Sequence, residues 1–379
     1  MNVLVVSGIW PPDVGGPASH APQVASFLLD RGHRVAVVTT ASAPPAPEQF
    51  AVHWVSRSLP KGAVHLRTGL EVARRARAAD VVYTTGMFGR SAAGAVLARR
   101  PYVIKLTADP AFERARRRGI VGGEVEGFQQ SSGGVKVTVL RRTRDAELRG
   151  AAHVFTPSGW LSELARTWGV DGRRVSVLPN PAPVLPQFAP RDELRSSFDM
   201  SGIALAFAGR LTTQKALHVA LDALARVDGV TLTVAGDGDE RGRLERLAHE
   251  LGLDARVRFV GPLPRARILD LFRAADASLL SSSWENFPHA VVEALAVGTP
   301  VLATSTGGVA EVLRDGENGL LVPPGAVEEL ADAIRRFASD GGLRDRLRLG
   351  AAPSVAEYTP ERVFERLEQT LLDVVRTNR

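Results

Sequence analysis

Two glutamates, Glu285 and Glu293, stand with seven residues between them in SSSWENFPHAVVEALAVGTPVLATSTGG, and Pro288 lies between the pair. Proline has no N–H and a pre-set φ, so it suits the first turn of a helix. Gly298 supplies a C′ residue at the other end. The pattern predicts a helix from Pro288 to about Val297, with Glu285 in the loop ahead of it. Glu293 then lies roughly five residues in, about 7 Å further along the axis. The free amides of Asn286, Phe287 and their neighbours surround the positive end of the helix dipole. Two acids and a row of donors along one axis could hold two polyhydroxylated rings, a sugar near Glu285 and a ribose near Glu293. Alone, such a pair recurs by chance in many helices. Here SLLSS precedes it, GTPVLAT follows, and the turn Thr306-Gly307-Gly308 leads to Glu311, which places both acids at the C-terminal edge of a sheet.

A second constellation is AGRLTTQKALHVALDAL, where a strand ends at Gly209, Arg210 follows, and Lys215 is expected at the start of a helix. A diphosphate needs concentrated positive charge without a bulky group over the backbone donors, and Arg plus Lys beside a helix N-terminus supplies that. The competing reading is a capped helix with surface cations. A third is Gly15-Gly16, between the first strand and the first helix, where the backbone can approach a ligand closely. No G-x-G-x-x-G stands at that position, which counts against NAD(P) or FAD, and no P-loop is present. No His/Asp group has metal-ligand spacing, and with no cysteines there are no disulfides, thiolate metal sites or cysteine nucleophiles.

These groups need elements to position them. At 379 residues, 45% apolar and 23% charged, the chain is globular and two domains are expected. The start, MNVLVVSGIWPPD, has no basic n-region and reads as a first strand, not a signal peptide. No apolar run approaches the length of a membrane span. The expectation is a soluble, cytoplasmic protein.

Short β-branched runs alternate with amphipathic stretches. Candidate strands are 3–7, 35–40, 52–56, 81–85, 102–107, 153–158 and 175–180, with helices such as Pro17 to Arg31 and Gly69 to Ala79. After the proline-rich link PNPAPVLPQFAP the rhythm restarts, with strands 204–209, 231–236, 257–261, 277–282 and 300–304. Strands spaced by helices give parallel sheets. The fold class is therefore α/β: two Rossmann-like domains facing each other across a cleft where strand C-termini converge. The first is expected over 1–185, with a C-terminal helix, 362–379, packing back on it, and the second over 186–361.

Charge divides unevenly. Up to Leu185 there are 24 Lys+Arg and 13 Asp+Glu, and beyond it 23 and 28, so +11 and −5 make up the +6 of the chain. RRAR (Arg74 to Arg77), RARRR (Arg114 to Arg118) and RRTR (Arg141 to Arg144) supply the excess. Two readings stand: solvated helix faces, or an anionic partner such as a phosphorylated acceptor or a membrane surface, met as a peripheral contact. Nucleic acid is not indicated, because no aromatics interleave the basic runs and no binding motif is present.

In this order the constellations resemble the retaining glycosyltransferases of family 4, which have the GT-B fold. PPDVGG…RGHRVAVVT is similar to that family's opening, AGRLTTQK to its G-R-x₄-K, and VAGDGDERGRLERLAHELGLDARVRFVGPL to the segment leading to the nucleobase pocket. ENFPHAVVE…ALAVGTPVLATSTGGVAEVLRDGENGLLVPPG is similar to its E-x₇-E signature and tail. The resemblance covers most of the chain and is densest in the second half. It implies that Arg210 and Lys215 bind the donor's diphosphate, with the Gly16 amide approaching from the other domain, and that Glu293 holds the ribose. It implies that Glu285 and the backbone from Asn286 to Pro288 contact the donor sugar, and that backbone from Gly261 to Leu263 lines the base pocket. It also implies a UDP- or GDP-type sugar donor as co-substrate, no cofactor and no essential metal, and a small-molecule, glycan or lipid-linked acceptor.

One stretch departs from the family. Many members carry a histidine after the fifth strand of the first domain, whereas YVIKLTADPAFERARRRG has Asp109 and no histidine. Asp109 either takes over a contact to the sugar or acceptor, as a catalytic-site residue, or is an Asp-Pro cap for the next helix. His20 is a second candidate with a structural alternative, and His289 is expected beside the signature without a chemical role. The segment 112–148 is where acceptor contacts are expected. Two other functions share these residues: a nucleotide-sugar epimerase on the same fold, and a non-catalytic nucleotide-sugar binder.

Overall fold

A computed structural model describes residues 1–13, 16–121, 125–130 and 133–378. The chain forms two compact units, Met1–Leu178 with Phe364–Arg379, and Pro179–Val363. The first changeover comes before the proline-rich link, at Leu178 where the sequence suggested 185. The hydrogen bonds explain it: Leu178 N donates to Thr156 O at 2.8 Å within the first unit, and Ala182 N donates to Tyr358 O at 2.6 Å within the second.

The first unit contains β1 (Asn2–Ser7), α1 (Gly16–Asp30), β2 (Arg34–Ala41), β3 (Ala51–Ser56), α2 (Lys61–Ala76), β4 (Val81–Thr84), α3 (Phe88–Leu97) and β5 (Tyr102–Lys105). It continues through α4 (Pro110–Arg117), α5 (Val125–Gln130), α6 (Gly134–Arg149), β6 (His153–Thr156), α7 (Gly159–Thr167) and β7 (Val175–Val177). Its strands pair in parallel in the order β3-β2-β1-β4-β5-β6-β7. All seven expected strands are present, trimmed or extended at their ends. α2 starts at Lys61, eight residues before the stretch read as helical. The central strands are buried along nearly their whole length, so Val, Ile, Leu and Tyr fill them and the polar Ser7, Thr84 and Lys105 fall at their C-terminal ends.

The second unit contains α8 (Arg191–Ser197), β8 (Ile203–Ala208), α9 (Leu217–Leu224), β9 (Val230–Ala235), α10 (Arg241–Glu250), β10 (Val257–Gly261), α11 (Arg265–Ala274) and β11 (Ala277–Leu280). Then come α12 (His289–Ala296), β12 (Val301–Thr304), α13 (Val309–Val312), β13 (Gly319–Val322), α14 (Val327–Ser339) and α15 (Gly341–Ser354), and the last helix, α16 (Pro360–Thr377), has only its first four residues in this unit. The parallel order is β10-β9-β8-β11-β12-β13. β13 was not anticipated: GLLV is short and its first residue is glycine. That glycine is required, because a Cβ there would lie 2.1 Å from the Val301 carbonyl oxygen of β12.

From Phe364 onward α16 belongs to the first unit. Glu368 accepts from Arg31 Nε at 3.1 Å and pairs with His33 Nε2 at 2.7 Å, while Phe364 meets the Phe27 ring at 5.6 Å. Among the described residues, no helix is long and apolar enough to cross a membrane.

Candidate functional site

The ends of three strands are laced together by backbone hydrogen bonds. After β8, Gly209 N donates to Ala235 O at 3.0 Å and Leu211 N to Asp237 O at 2.9 Å. After β9, Glu240 N donates back to Leu211 O at 3.1 Å, and Gly236 N donates to Gly261 O of β10 at 2.8 Å. Glycine is needed where these loops touch: a Cβ on Gly236 would sit 1.9 Å from Gly209 O, and one on Gly238 would sit 2.2 Å from Leu211 O. From this frame Arg210 projects exposed, and it makes no ion pair among the described residues.

Lys215 does not start the next helix, as the sequence suggested. It closes a 3₁₀ turn, Thr213–Lys215, and Ala216 then turns left-handed with φ +43° before α9 begins at Leu217. A non-glycine residue there costs on the order of 1–3 kcal/mol. The turn is stitched to the loop after β11: Ser283 N donates to Gln214 O at 2.9 Å, Gln214 Nε2 to Trp284 O at 2.8 Å, and Ser281 Oγ to Lys215 O at 3.0 Å.

That stitching brings together two residues 70 apart in sequence. The Lys215 ammonium is ion-paired with Glu285 Oε1, which also accepts from Ser282 Oγ at 2.8 Å. The Glu285 side chain is only 7% exposed. Its backbone is fixed from the other side by the turn after β12, where Gly308 N donates to Glu285 O at 3.1 Å. Gly307 has φ +51°, and a Cβ on it would lie 1.7 Å from that same oxygen. Thr304 Oγ1 donates to Ser282 O at 2.6 Å and Thr306 Oγ1 to Ser283 O at 3.0 Å. The sequence reading overlooked Ser282, although its place three residues before Glu285 was visible.

α12 follows the expected course, with Pro288 as its N-cap residue and Gly298 (φ +80°) after its C-cap Val297. Pro288 thus lies just outside the helix and offers no N–H. Phe287 and Pro288 are buried and Asn286 is half-buried. His289 is exposed, edge-on to the Phe287 ring at 5.3 Å and 3.1 Å from Asn180 Nδ2. Glu293 is half-buried and pairs with Arg265 Nη2 at 3.1 Å. Burial pushes its carboxyl above the usual range, and Arg265 pulls the other way. Arg265 opens α11 directly after Gly261-Pro262-Leu263-Pro264, so the ion pair ties Glu293 to the segment expected to line the base pocket. Within that segment Gly261 is buried with φ +73°, and Leu263 packs against the core beside α12.

In the first unit, Gly15 lies outside the described residues and Gly16 is the first residue of α1. Asp109 takes its capping role, not that of an open group beside a sugar. Oδ1 accepts from Ala111 N at 2.8 Å and Phe112 N at 3.3 Å; Oδ2 accepts from Gln129 Nε2 at 2.7 Å and Arg144 Nη1 at 2.9 Å. Its side chain has no exposed surface. The Arg144 guanidinium lies 3.8 Å over the Trp168 ring, whose Nε1 donates to Gln129 Oε1 at 3.0 Å. Part of the 112–148 segment is therefore spent on this buried cluster. His20 Nε2 is 2.9 Å from Tyr83 Oη. Among the described residues, no three His, Cys, Asp or Glu side chains gather as a metal site.

Two parallel sheets with these laced strand ends define a class, the GT-B glycosyltransferase fold. The chain superposes on Anabaena HepE in complex with UDP with a TM-score of 0.80 at 23% identity, covering 98% of this chain and all (100%) of that one. Sucrose-phosphate synthase from Thermosynechococcus elongatus superposes with a TM-score of 0.76 at 20% identity, covering 99% of each chain. At such identities the likeness is one of fold.

The family follows from the sequence. Residues 15–181 match the Glycosyl transferase 4-like domain and residues 192–352 match Glycosyl transferases group 1. The chain belongs to the family-4-like glycosyltransferases. It is similar to the lipopolysaccharide core biosynthesis glycosyltransferase LpsE of Rhizobium meliloti, 38% identical over 43% of this chain and 48% of the relative. It is also similar to the D-inositol 3-phosphate glycosyltransferase of Kribbella flavida, 34% identical over 57% of this chain and 54% of the relative. The chain spans about half the length of the curated relatives it matches.

Proposed function

We propose that the chain transfers a sugar from a UDP- or GDP-type nucleotide sugar to an acceptor hydroxyl, with retention at the anomeric carbon and without an essential metal. The observation that carries this reading is the ion pair of the half-buried Lys215 with the buried Glu285, beside the strand exit that presents Arg210. As the bond from the anomeric carbon to the phosphate oxygen breaks, negative charge grows on the departing diphosphate. The Lys215 ammonium and the Arg210 guanidinium supply the opposing charge. Groups fixed before the reaction lower such a barrier, and losing one typically costs on the order of 10²–10³ in kcat. Glu285 holds Lys215 in place and steadies positive character on the sugar ring. The acceptor hydroxyl gives up its proton to a leaving phosphate oxygen. Glu293 takes the ribose hydroxyls. Asp109 is left out of the catalytic set because its carboxylate is fully engaged.

A UDP-type donor is supported by the HepE complexes with UDP and with UDP-glucose. The acceptor class stays as wide as the relatives' names, a small polyol phosphate or a lipid-linked glycan. The test is to incubate the protein with UDP- and GDP-sugars, with and without candidate acceptors and EDTA, and to follow free nucleoside diphosphate and product stereochemistry. Acceptor-dependent release that survives EDTA supports the reading. Interconversion of donors without an acceptor replaces it with epimerisation, and binding without chemistry reduces it to a binder.

A further inference from the structure

Four large apolar side chains stand in solvent on two neighbouring helices of the first unit. They are Leu66 (66% exposed) and Leu70 (61%) on α2, and Val96 (67%) and Leu97 (71%) on α3. The helices lie side by side. A Cβ on Gly94 would sit 2.5 Å from Val72 Cγ1 and 2.9 Å from Ala73 N, and Arg100 Nη2 donates to Arg77 O at 3.2 Å. Position 94 thus faces 72–73 and position 100 faces 77, so both helices run in the same sense and share an outer face. At about 100° per residue, Leu66, Leu70, Arg74 and Arg77 fall within an arc of about 80° on α2.

The charge on this face is one-sided. Arg67, Arg74, Arg77, Arg99 and Arg100 are all exposed. Glu71, the single acid of α2, is taken by Arg75 Nε at 2.7 Å, and α3 has no acid. The contrast with RRTR is informative: there Arg144 is buried on Asp109 and Arg141 stacks at 4.6 Å on Phe128, so those cations serve the fold. The imidazoles of His53 and His65 are held below their ordinary range, first by burial and then by nearby arginines, Arg75 and Arg74 for one and Arg90 and Arg114 for the other, with Glu71 opposing at His53.

We propose that the outer face of α2 and α3 docks on an anionic lipid bilayer, its leucines at the headgroup–acyl boundary and its arginines on lipid phosphates. Apolar side chains bordered by cations fit that boundary. A second copy of this chain fits less well, because an isologous contact would bring the two arginine sets together. The inference goes beyond the transferase reading and does not depend on it.

The test is co-sedimentation of the full chain with vesicles of phosphatidylglycerol and phosphatidylcholine against phosphatidylcholine alone. Binding is expected only to the anionic vesicles, falling as salt is raised from about 0.05 M to 0.5 M. Leu66→Glu with Leu97→Glu, and separately Arg74→Glu with Arg77→Glu, should each weaken binding by about an order of magnitude. Both double variants should keep the wild-type melting temperature, since these side chains are exposed. No binding of the wild type to anionic vesicles overturns the proposal, as does undiminished binding by the folded variants. A concentration-dependent dimer that Leu66→Glu with Leu97→Glu dissolves assigns the face to a second copy instead.

Discussion

Lys215 and Glu285 form a single charged unit: one carboxylate oxygen accepts from both the Lys215 ammonium and the Ser282 hydroxyl. If that ammonium balances the departing diphosphate, Lys215→Ala should lower kcat roughly 10²–10³-fold. The melting temperature should move far less, because the side chain lies at the edge of the core. Steady-state kinetics beside a thermal melt checks both. Turnover like the wild type would remove Lys215 from the site.

Glu293 and Arg265 form the second pair, on α12 and α11. Glu293→Gln keeps the shape and removes the charge that would receive ribose hydroxyls. Nucleoside diphosphate affinity should fall by roughly tenfold or more, the scale of a hydrogen bond to a charged group. Because burial holds the Glu293 carboxyl above the usual range, acid protonates it sooner than an ordinary glutamate. Wild-type affinity should therefore weaken as pH falls toward that range, and the Gln variant should lose this dependence. Calorimetric titration with UDP and GDP at two pH values reads both effects. Unchanged affinity in Glu293→Gln refutes the ribose assignment.

What the sequence disclosed and what it hid follow one division. Periodic apolar runs and glycine–proline punctuation read the strands of both sheets except β13, and the limits of α12, to within three residues, since those signals are local. β13 escaped because four residues opening on a glycine carry almost no period, and only the Val301 carbonyl explains that glycine. Ser282 escaped because a serine means little until Lys215 is folded against its neighbour, Glu285. The left-handed Ala216, which sets Lys215 outside α9, has no residue-type signature. Asp109 was read with two roles because an Asp-Pro pair looks alike in both, and Gln129 and Arg144, far along the chain, fill its carboxylate.

That filling gives Asp109 a distinct prediction. Asp109→Ala takes one carboxylate from the buried Arg144 guanidinium, which keeps its pair with Asp145 at 2.9 Å, and removes the α4 cap, so the loss should stay below the about 3–5 kcal/mol of a buried charge left with no partner. Asp109→Asn keeps the cap acceptor and should cost less. Urea unfolding should show both losses in that order, while the folded fraction of Asp109→Asn turns over near the wild-type rate. A large drop in kcat without loss of stability would return Asp109 to the catalytic set.

Lys105, at the end of β5, has no exposed surface, and its ammonium donates to the Leu178 carbonyl. Burial, helped by the charge of Arg366, pushes this lysine down from 10.5 to about 7. Below about pH 7 the folded and unfolded chains both carry the proton, so the cost of the buried charge is constant there. Between about 7 and 10.5 the unfolded chain holds the proton and the folded chain does not, so stability rises with pH. The slope is at most about 1.4 kcal/mol per pH unit. Lys105→Met abolishes this slope, whereas the hydrogen bond it forfeits at Leu178 costs about the same at every pH and cancels from the comparison. Urea unfolding of both proteins at pH 7 and pH 9 should show the wild type gaining on the variant. If instead the two stabilities run parallel over that interval, the Lys105 ammonium keeps its proton inside the fold and burial does not govern it.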